Sequence, residues 1–483
     1  MKVCNLRCIS SALILTIGLS LGAEPNPVPV DKPAIELGAP FRDNAIFQQN
    51  VPLPIWGSAE PGAKITVTFG TQKKAAVAKD DGKWKVIFAP MVAQPLSSVN
   101  HAPKGMSLTI VSEIAGKKAS TTITNILIGE VWLCSGQSNM AGRFGRDPYP
   151  RGSLAKADYP ALRRLEDDQW IISTPRTAGR CSRVGFCFAR KVQSEIMVPV
   201  GLLIAATGGS PIESWMQTVP EELKNPRRKQ PVGAKRRVTN YESKIAPLVG
   251  YGMRGSLWYQ GEGNANEGRE YFLKMESMIG DWRTSWGVGD FPFYYVQIAS
   301  IGKSPGDNPA GGDGRARIRN AQLEALTLKN TGMAVAIDVG SLHEHPLNKY
   351  DLGIRLARWA LHNEYGQADL VPSGPIYKSH KIEGVTIRVQ FDYAQNGLML
   401  ATKASYVPPK PTPGAKMPWL SIQAKDGTWH WAQGCLDGSD LLVSSKDVKE
   451  PIAVRYGYTQ YPTGSNLYNK DGLPASPFST NGY

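Results

Sequence analysis

The 483-residue chain is poor in the side chains that hold metals and crosslinks, with 6 His and 6 Cys. Cys4 and Cys8 fall within the first 23 residues, which leaves Cys134, Cys181, Cys187 and Cys435 beyond them. Their spacing is not that of a zinc site, which wants ligand pairs roughly two to four residues apart. Cys181 and Cys187 are close enough in sequence to close a small loop in an oxidising compartment, yet a chain of this size needs no disulfide to fold. Beyond residue 23 no segment is apolar for the about 20 residues that crossing a bilayer requires. No stretch carries a basic face with interleaved aromatics, which argues against nucleic acid as a partner. The formal charge of +14 is scattered, apart from Arg227-Arg228-Lys229 and Lys235-Arg236-Arg237 in a Pro/Gly/Lys stretch that reads as surface loop.

What is present is enough for two or three packed domains: 42% hydrophobic and 9% aromatic residues. The first residues read as an address. Lys2 and Arg7 precede an apolar run from Ile9 to Leu21, and Gly22-Ala23 offers a small-residue cleavage site before Glu24. Residues 1–23 are therefore expected to be a signal peptide, and the mature chain to be exported, periplasmic or extracellular. Its removal deletes two cations and no acids, taking the formal charge from +14 to +12.

Three grammars follow one another. Between about residues 33 and 125, short alternating pieces such as Leu53-Pro54-Ile55-Trp56 and Trp84-Lys85-Val86-Ile87-Phe88 are separated by turn signals such as Pro61-Gly62 and Asp81-Gly82. That pattern predicts a small antiparallel β-sandwich. From 126 to 368, continuous apolar runs alternate with helical stretches: 129–134, 200–206, 256–259, 293–299 and 333–337. Such runs are strands covered on both faces, and their alternation with helices predicts a doubly wound parallel α/β sheet. From 369 to 483 short alternating strands return as a C-terminal β-rich region. Its tail from Tyr456 onward, rich in Gly, Pro, Asn and Tyr, reads as irregular coil.

In an open α/β sheet ligands bind beyond the carboxyl ends of the strands, so the residues there carry the functional reading. The first strand ends in Ser135-Gly136-Gln137-Ser138-Asn139-Met140. A serine at a strand-to-helix handover sits on free backbone N–H groups, as a helix cap or as a nucleophile. The second strand ends in Gly208-Gly209-Ser210-Pro211-Ile212-Glu213, where Ser210 and Glu213 form a capping-box pattern with Pro211 at the first helical position. The third ends in Gln260-Gly261-Glu262, whose Gln260 amide is a candidate oxyanion donor. After the fifth come Asp338 and then Ser341 to Lys349, with His343 and His345 before an amphipathic helix bearing Leu352, Leu356 and Trp359. A histidine on that loop can serve Ser138 as general base. The pair His343 and His345 lacks a third metal ligand at diagnostic spacing. Trp132, Trp215, Trp258 and Tyr259 are either sugar-stacking platforms or core.

GQSNM around Ser138, GGSPIESW around Trp215, WYQGEGNA from Trp258 and HPLNKYDLGIRLA from His345 resemble, in order, the blocks of the sialate O-acetylesterase family within the SGNH hydrolases. The resemblance runs from PIWGSAEPGAKITVTF near Trp56 to VRYGYTQYPTGSNLYNKDGLPASPF near the C-terminus. It implies an SGNH-type sheet and a serine esterase that removes acetyl groups from sugar hydroxyls, with no cofactor and no metal. Carried onto this chain, it makes Ser138 the nucleophile and His345 the base. The oxyanion hole would comprise the Ser138 and Gly209 N–H groups and the Gln260 side chain. Many SGNH hydrolases place Asp two residues before the histidine, where this chain has His343. Glu344 or Asp338 then supplies the third member, or a backbone carbonyl orients His345, or the two residues act as a dyad. The expected partner is an O-acetylated sugar or glycan. Acetyl-xylan esterases share these blocks, so the acyl group is better defined than the sugar. The rival of a different class is a non-catalytic glycan-binding protein on the same fold.

Overall fold

The computed structural model describes residues 35–144, 154–224, 238–302 and 307–483. The leader read at residues 1–23 and both basic clusters, at 227–229 and 235–237, lie outside the described residues.

The N-terminal region is built from β1 (Ile35–Leu37), β2 (Ile46–Gln48), β3 (Leu53–Ala59), β4 (Lys64–Phe69), β5 (Gln72–Val77), β6 (Lys83–Phe88) and β7 (Met106–Ile114). One sheet has the order β1-β3-β6, and a second is formed where β4 pairs with β5 and β7. Alternation does the work, since β6 buries Trp84, Val86 and Phe88 while Lys83, Lys85 and Ile87 face out. The expected boundary at residue 125 falls inside a strand. β8 runs unbroken from Lys117 to Gly136, pairing antiparallel with β7 in its first half and parallel with two strands of the central sheet in its second. It bends at Asn125, which takes a left-handed φ of 55°. The two regions thus share one backbone rather than a linker.

The central sheet adds β9 (Tyr159–Glu166), β10 (Gln169–Ser173), β11 (Val200–Ala206), β12 (Gly255–Tyr259), β13 (Phe293–Val296) and β14 (Thr331–Ala334). Their order is β10-β9-β11-β8-β12-β13-β14. From β8 the chain proceeds first to one side and then to the other, so the topological switch point lies at the carboxyl end of β8. All five expected strands are present. The hairpin β9–β10 was not expected, because Arg163 and Arg164 break its apolar pattern. Arg163 is nonetheless buried, donating to the carbonyls of Asn44, Asn125 and Pro160.

Helices cover both faces. α1 (Ser138–Ala141) is one turn; α2 (Arg183–Ile196) and α5 (Lys349–Asn363) pack together on one face over Trp132, Leu202 and Tyr294. α3 (Arg269–Trp286) and α4 (Gly314–Glu324) cover the other over Trp258, Phe293 and Tyr295. Leu352, Leu356 and Trp359 are buried on α5 as its periodicity demands. The capping box does not form. Residues Ile212–Trp215 make only a 3-10 turn, and the Ser210 hydroxyl donates to the Thr207 carbonyl while accepting from Trp215 Nε1. Glu213 is drawn instead to buried Lys274.

The C-terminal region forms three small antiparallel sheets. Its tail is largely irregular but buried, with short strands at Leu467–Asn469 and Phe478–Ser479. Arg319 on α4 fastens it, donating to the carbonyls of Thr459 and Gln460 as well as those of Ile298 and Ala299. Among the described residues Cys134, Cys181, Cys187 and Cys435 form no disulfide, so Cys181 and Cys187 do not pair with each other. Burial pushes the Cys181 thiol up to about 12. No helix of the described residues is long and apolar enough to cross a membrane.

Gly136 closes β8 at a φ of 130°, and a Cβ there would lie 2.2 Å from the Tyr259 carbonyl oxygen. Gly136→Ala is therefore expected to destabilise the fold by about 2 kcal/mol or more, through strain at an L-unfavourable φ and separation of β8 from β12. Urea unfolding of the two proteins measures it.

Candidate active site

Three strand ends lie in one row. The register pairs Ala206 with Gly136 and Gly136 with Tyr259, so the segments after β11, β8 and β12 leave the sheet side by side. Gln137 N–H donates to the Tyr259 carbonyl and Thr207 N–H to that of Gly136, continuing the ladder one residue past the strands. Ser138 follows as the first residue of α1. A Cβ at Gly208 would lie 3.7 Å from the Ser138 Cβ, so the glycine turn passes directly against the serine. Gly209 has a φ of 68° and open space where a side chain would be. Among the described residues neither the Ser138 nor the Gly209 N–H donates to a protein acceptor.

From the far side of the sheet, Ser341 after β14 bridges Ile301, and the loop beyond it carries His345. His345 Nε2 stands 2.9 Å from Ser138 Oγ. These two residues, 207 apart in sequence, are in direct hydrogen-bond contact, and His345 itself is exposed. His343 is also exposed and, among the described residues, bonds with Ser341 in a local turn.

Neither expected carboxylate serves His345. Asp338 is buried and held by both Nη atoms of Arg355 at 2.7 Å, with the Tyr468 hydroxyl at 3.2 Å. It is a structural ion pair between the sheet, α5 and the C-terminal tail. Glu344 points its carboxylate at Arg315, 3.0 Å away. Among the described residues Ser138 is the one hydrogen-bond partner of His345.

Gln260 is likewise turned away from the serine. Its Nε2 donates both hydrogens internally, to the Ser210 carbonyl at 3.2 Å and to Asn264 Oδ1 at 2.8 Å, while its Oε1 accepts from the Tyr271 hydroxyl. An amide has two donors, and both are spent. Asn264 extends this network to Glu213 and Glu267, which share Lys274. Burial pushes the Tyr271 hydroxyl above its ordinary range. Trp132, Trp215, Trp258 and Tyr259 are all fully buried, which makes them core rather than sugar platforms.

Three further polar residues stand beside the serine. Asn139 donates to the Glu262 carboxylate and to the Glu344 carbonyl, and accepts from Lys349 Nζ. Lys349 also lies over the Tyr259 ring, 4.8 Å from its centre. Glu262 Oε2 is shut off from solvent with no partner, and burial raises the carboxyl above its ordinary range. The available signal was adjacency: each lies inside one of the sequence blocks that carried the resemblance. Among the described residues no group of three or more His, Cys, Asp or Glu has an arrangement that could hold a metal ion.

Removing the Gln260 amide leaves buried Asn264, Tyr271 and the Ser210 carbonyl short of partners. Gln260→Ala is thus expected to cost about 2–4 kcal/mol of stability while the surviving folded enzyme keeps kcat within a few-fold. A protein of native stability with kcat down by about 10²-fold or more, as loss of an oxyanion donor causes, would return Gln260 to the oxyanion hole.

A family model described as carbohydrate esterase, sialic acid-specific acetylesterase, matches residues 128–362. Sialate O-acetylesterase of Homo sapiens is 28% identical, the match covering 88% of this chain and 88% of that protein. The Mus musculus enzyme of the same name is 26% identical over 91% of this chain and 93% of its own. A solved carbohydrate acetylesterase from Xanthomonas citri superposes with a TM-score of 0.79 at 31% identity, covering 92% of this chain and 99% of that one. The chain belongs to the carbohydrate esterase family of sialic acid-specific acetylesterases.

Proposed function

We propose that this carbohydrate acetylesterase, sialate O-acetylesterase-like in its family, works by two-step acyl transfer with Ser138 as nucleophile and His345 as general base. The observation that carries the reading is the 2.9 Å contact between Ser138 Oγ and His345 Nε2 at the switch point of the sheet. His345 takes the Ser138 proton as Oγ attacks the acetyl carbonyl, and returns it to the departing sugar oxygen. Water, activated by the same histidine, then clears the acetyl-enzyme.

The Ser138 and Gly209 N–H groups face the developing oxyanion in this scheme, each worth on the order of 10²–10³ in rate. No third donor is required of Gln260. The pair acts as a dyad: the exposed imidazolium that forms at His345 is stabilised by water, where a buried one would need a carboxylate. Export is part of the proposal and rests on residues 1–23, whose cationic start, apolar run and Gly22-Ala23 end have the order of a cleavable leader. N-terminal sequencing of the secreted protein should then begin at Glu24.

Hydrolysis of 4-nitrophenyl acetate by wild type, Ser138→Ala and His345→Ala tests the chemistry. Both variants are expected to fold normally and to lose about 10³-fold or more of kcat. A Ser138→Ala protein releasing acetate at the wild-type rate would overturn the assignment. A wild-type protein with no Ser138-dependent release would point to glycan binding without turnover. A screen of acetylated sialic acids against acetylated xylans resolves the sugar.

A further inference from the structure

We infer that Asn139 is a positioning residue that holds His345 at bonding distance from Ser138, an assignment that rests on the acyl-transfer reading above. His345 lies on an exposed loop, and exposed side chains are not fixed in place by packing. Something else must fix the loop's backbone relative to the serine. The Arg315 bond to Glu344 holds a side chain that is largely in water, and the Arg183 bond to the Leu347 carbonyl reaches from α2. Among the described residues Asn139 makes the link from the serine's own side, being its covalent neighbour.

The grip is two-sided. Asn139 Nδ2 donates to the Glu344 carbonyl at 3.0 Å, one residue before His345, and its Oδ1 accepts from Lys349 Nζ, four residues after. The carboxamide therefore spans the segment that carries the base, from its entry to the start of α5. Its orientation is unambiguous. A lysine ammonium has donors and no acceptor, so Oδ1 faces Lys349, which leaves Nδ2 for Glu262 and the Glu344 carbonyl. All three of its bonds are made inside the protein, and only 1% of its surface is accessible. A side chain this committed cannot follow the substrate, and so it fixes the geometry of the two residues it joins.

Misplacing a catalytic group by about 1 Å can cost on the order of 10²-fold in rate. With 4-nitrophenyl acetate and the full chain, Asn139→Ala is expected to lower kcat by about that factor and to leave KM within about threefold. A role exercised through His345 vanishes when His345 is gone, so the double variant Asn139→Ala/His345→Ala should be no slower than His345→Ala alone. A defect that is merely structural would instead multiply with the His345 loss. Lys349→Met keeps Asn139 but releases its carbonyl, and is expected to lose about tenfold in kcat. It provides the same cycle if Asn139→Ala does not fold. Full kcat in Asn139→Ala beside an inactive His345→Ala, or losses that multiply in the double variant, would overturn the positioning role alone. Full activity in His345→Ala would instead sink the underlying reading.

Discussion

The site exists because one strand, β8, is paired on both sides at its last residue. Gly136 meets Ala206 on one flank and Tyr259 on the other, so three chain segments are released at the same height. Parallel strands alone allow that coincidence, since their ends are set by register rather than by a shared turn. Glycine is the residue that makes it possible: at a φ of 130°, with the Tyr259 carbonyl 2.2 Å from where a Cβ would stand, no other side chain fits. The serine, the glycine turn at 208–209 and the Gln260–Glu262 segment then have no choice but to be neighbours. In its first half the same strand pairs with β7 of the N-terminal region, and between the two, buried Glu130 accepts from Gln48 and Gln49 of that region and from Arg254 and Tyr365 of the central one. The β-region and the reaction centre are thus two ends of a single piece of backbone.

A second constraint decides what the neighbours do. Groups gathered at a strand end are partly or wholly removed from water, and a buried donor or acceptor without a partner costs about 1–3 kcal/mol. Polar side chains there bond one another first. Gln260, Asn264, Glu213, Glu267 and Lys274 close one such network, and Asn139, Glu262 and Lys349 a second. Outside these two networks, among the described residues, stand backbone N–H groups and the two residues that touch each other, Ser138 and His345.

That constraint also explains which parts were legible from residues alone. The five core strands were, because a sheet covered on both faces needs continuous apolar runs, and these alternate with helical stretches from residue 126 onward. β9 was not, since Arg163 satisfies its charge with three backbone carbonyls and looks exposed when seen only as a letter. Ser138, Gly209 and His345 stood out as small or titratable residues at strand ends. Gln260 and Asp338 stood out for the same reason, yet Gln260 is bonded into the core and Asp338 is a structural ion-pair partner, so position alone does not assign a role. Whether a polar side chain faces the cleft or the core depends on partners such as Tyr271 and Arg355, which lie 11 and 17 residues away in sequence and carry no signal of the pairing. The capping box at Ser210 failed similarly, outbid by Lys274 for Glu213.

The absence of a carboxylate behind His345 then has a physical reading. A buried histidine that must become an imidazolium needs a fixed negative charge, because the interior cannot solvate it. An exposed one has water for that purpose, and what it lacks is a fixed place to stand. Orientation and charge stabilisation, which a triad carboxylate supplies together, can therefore be separated. In the proposed mechanism water supplies the second at His345, and the Asn139 amide, which bonds the Glu344 carbonyl and Lys349 on either side of it, supplies the first. Buried Glu262 and Lys349 then have a place in the proposed scheme. They bond Asn139, whose amide reaches from the residue after Ser138 to the segment that carries His345.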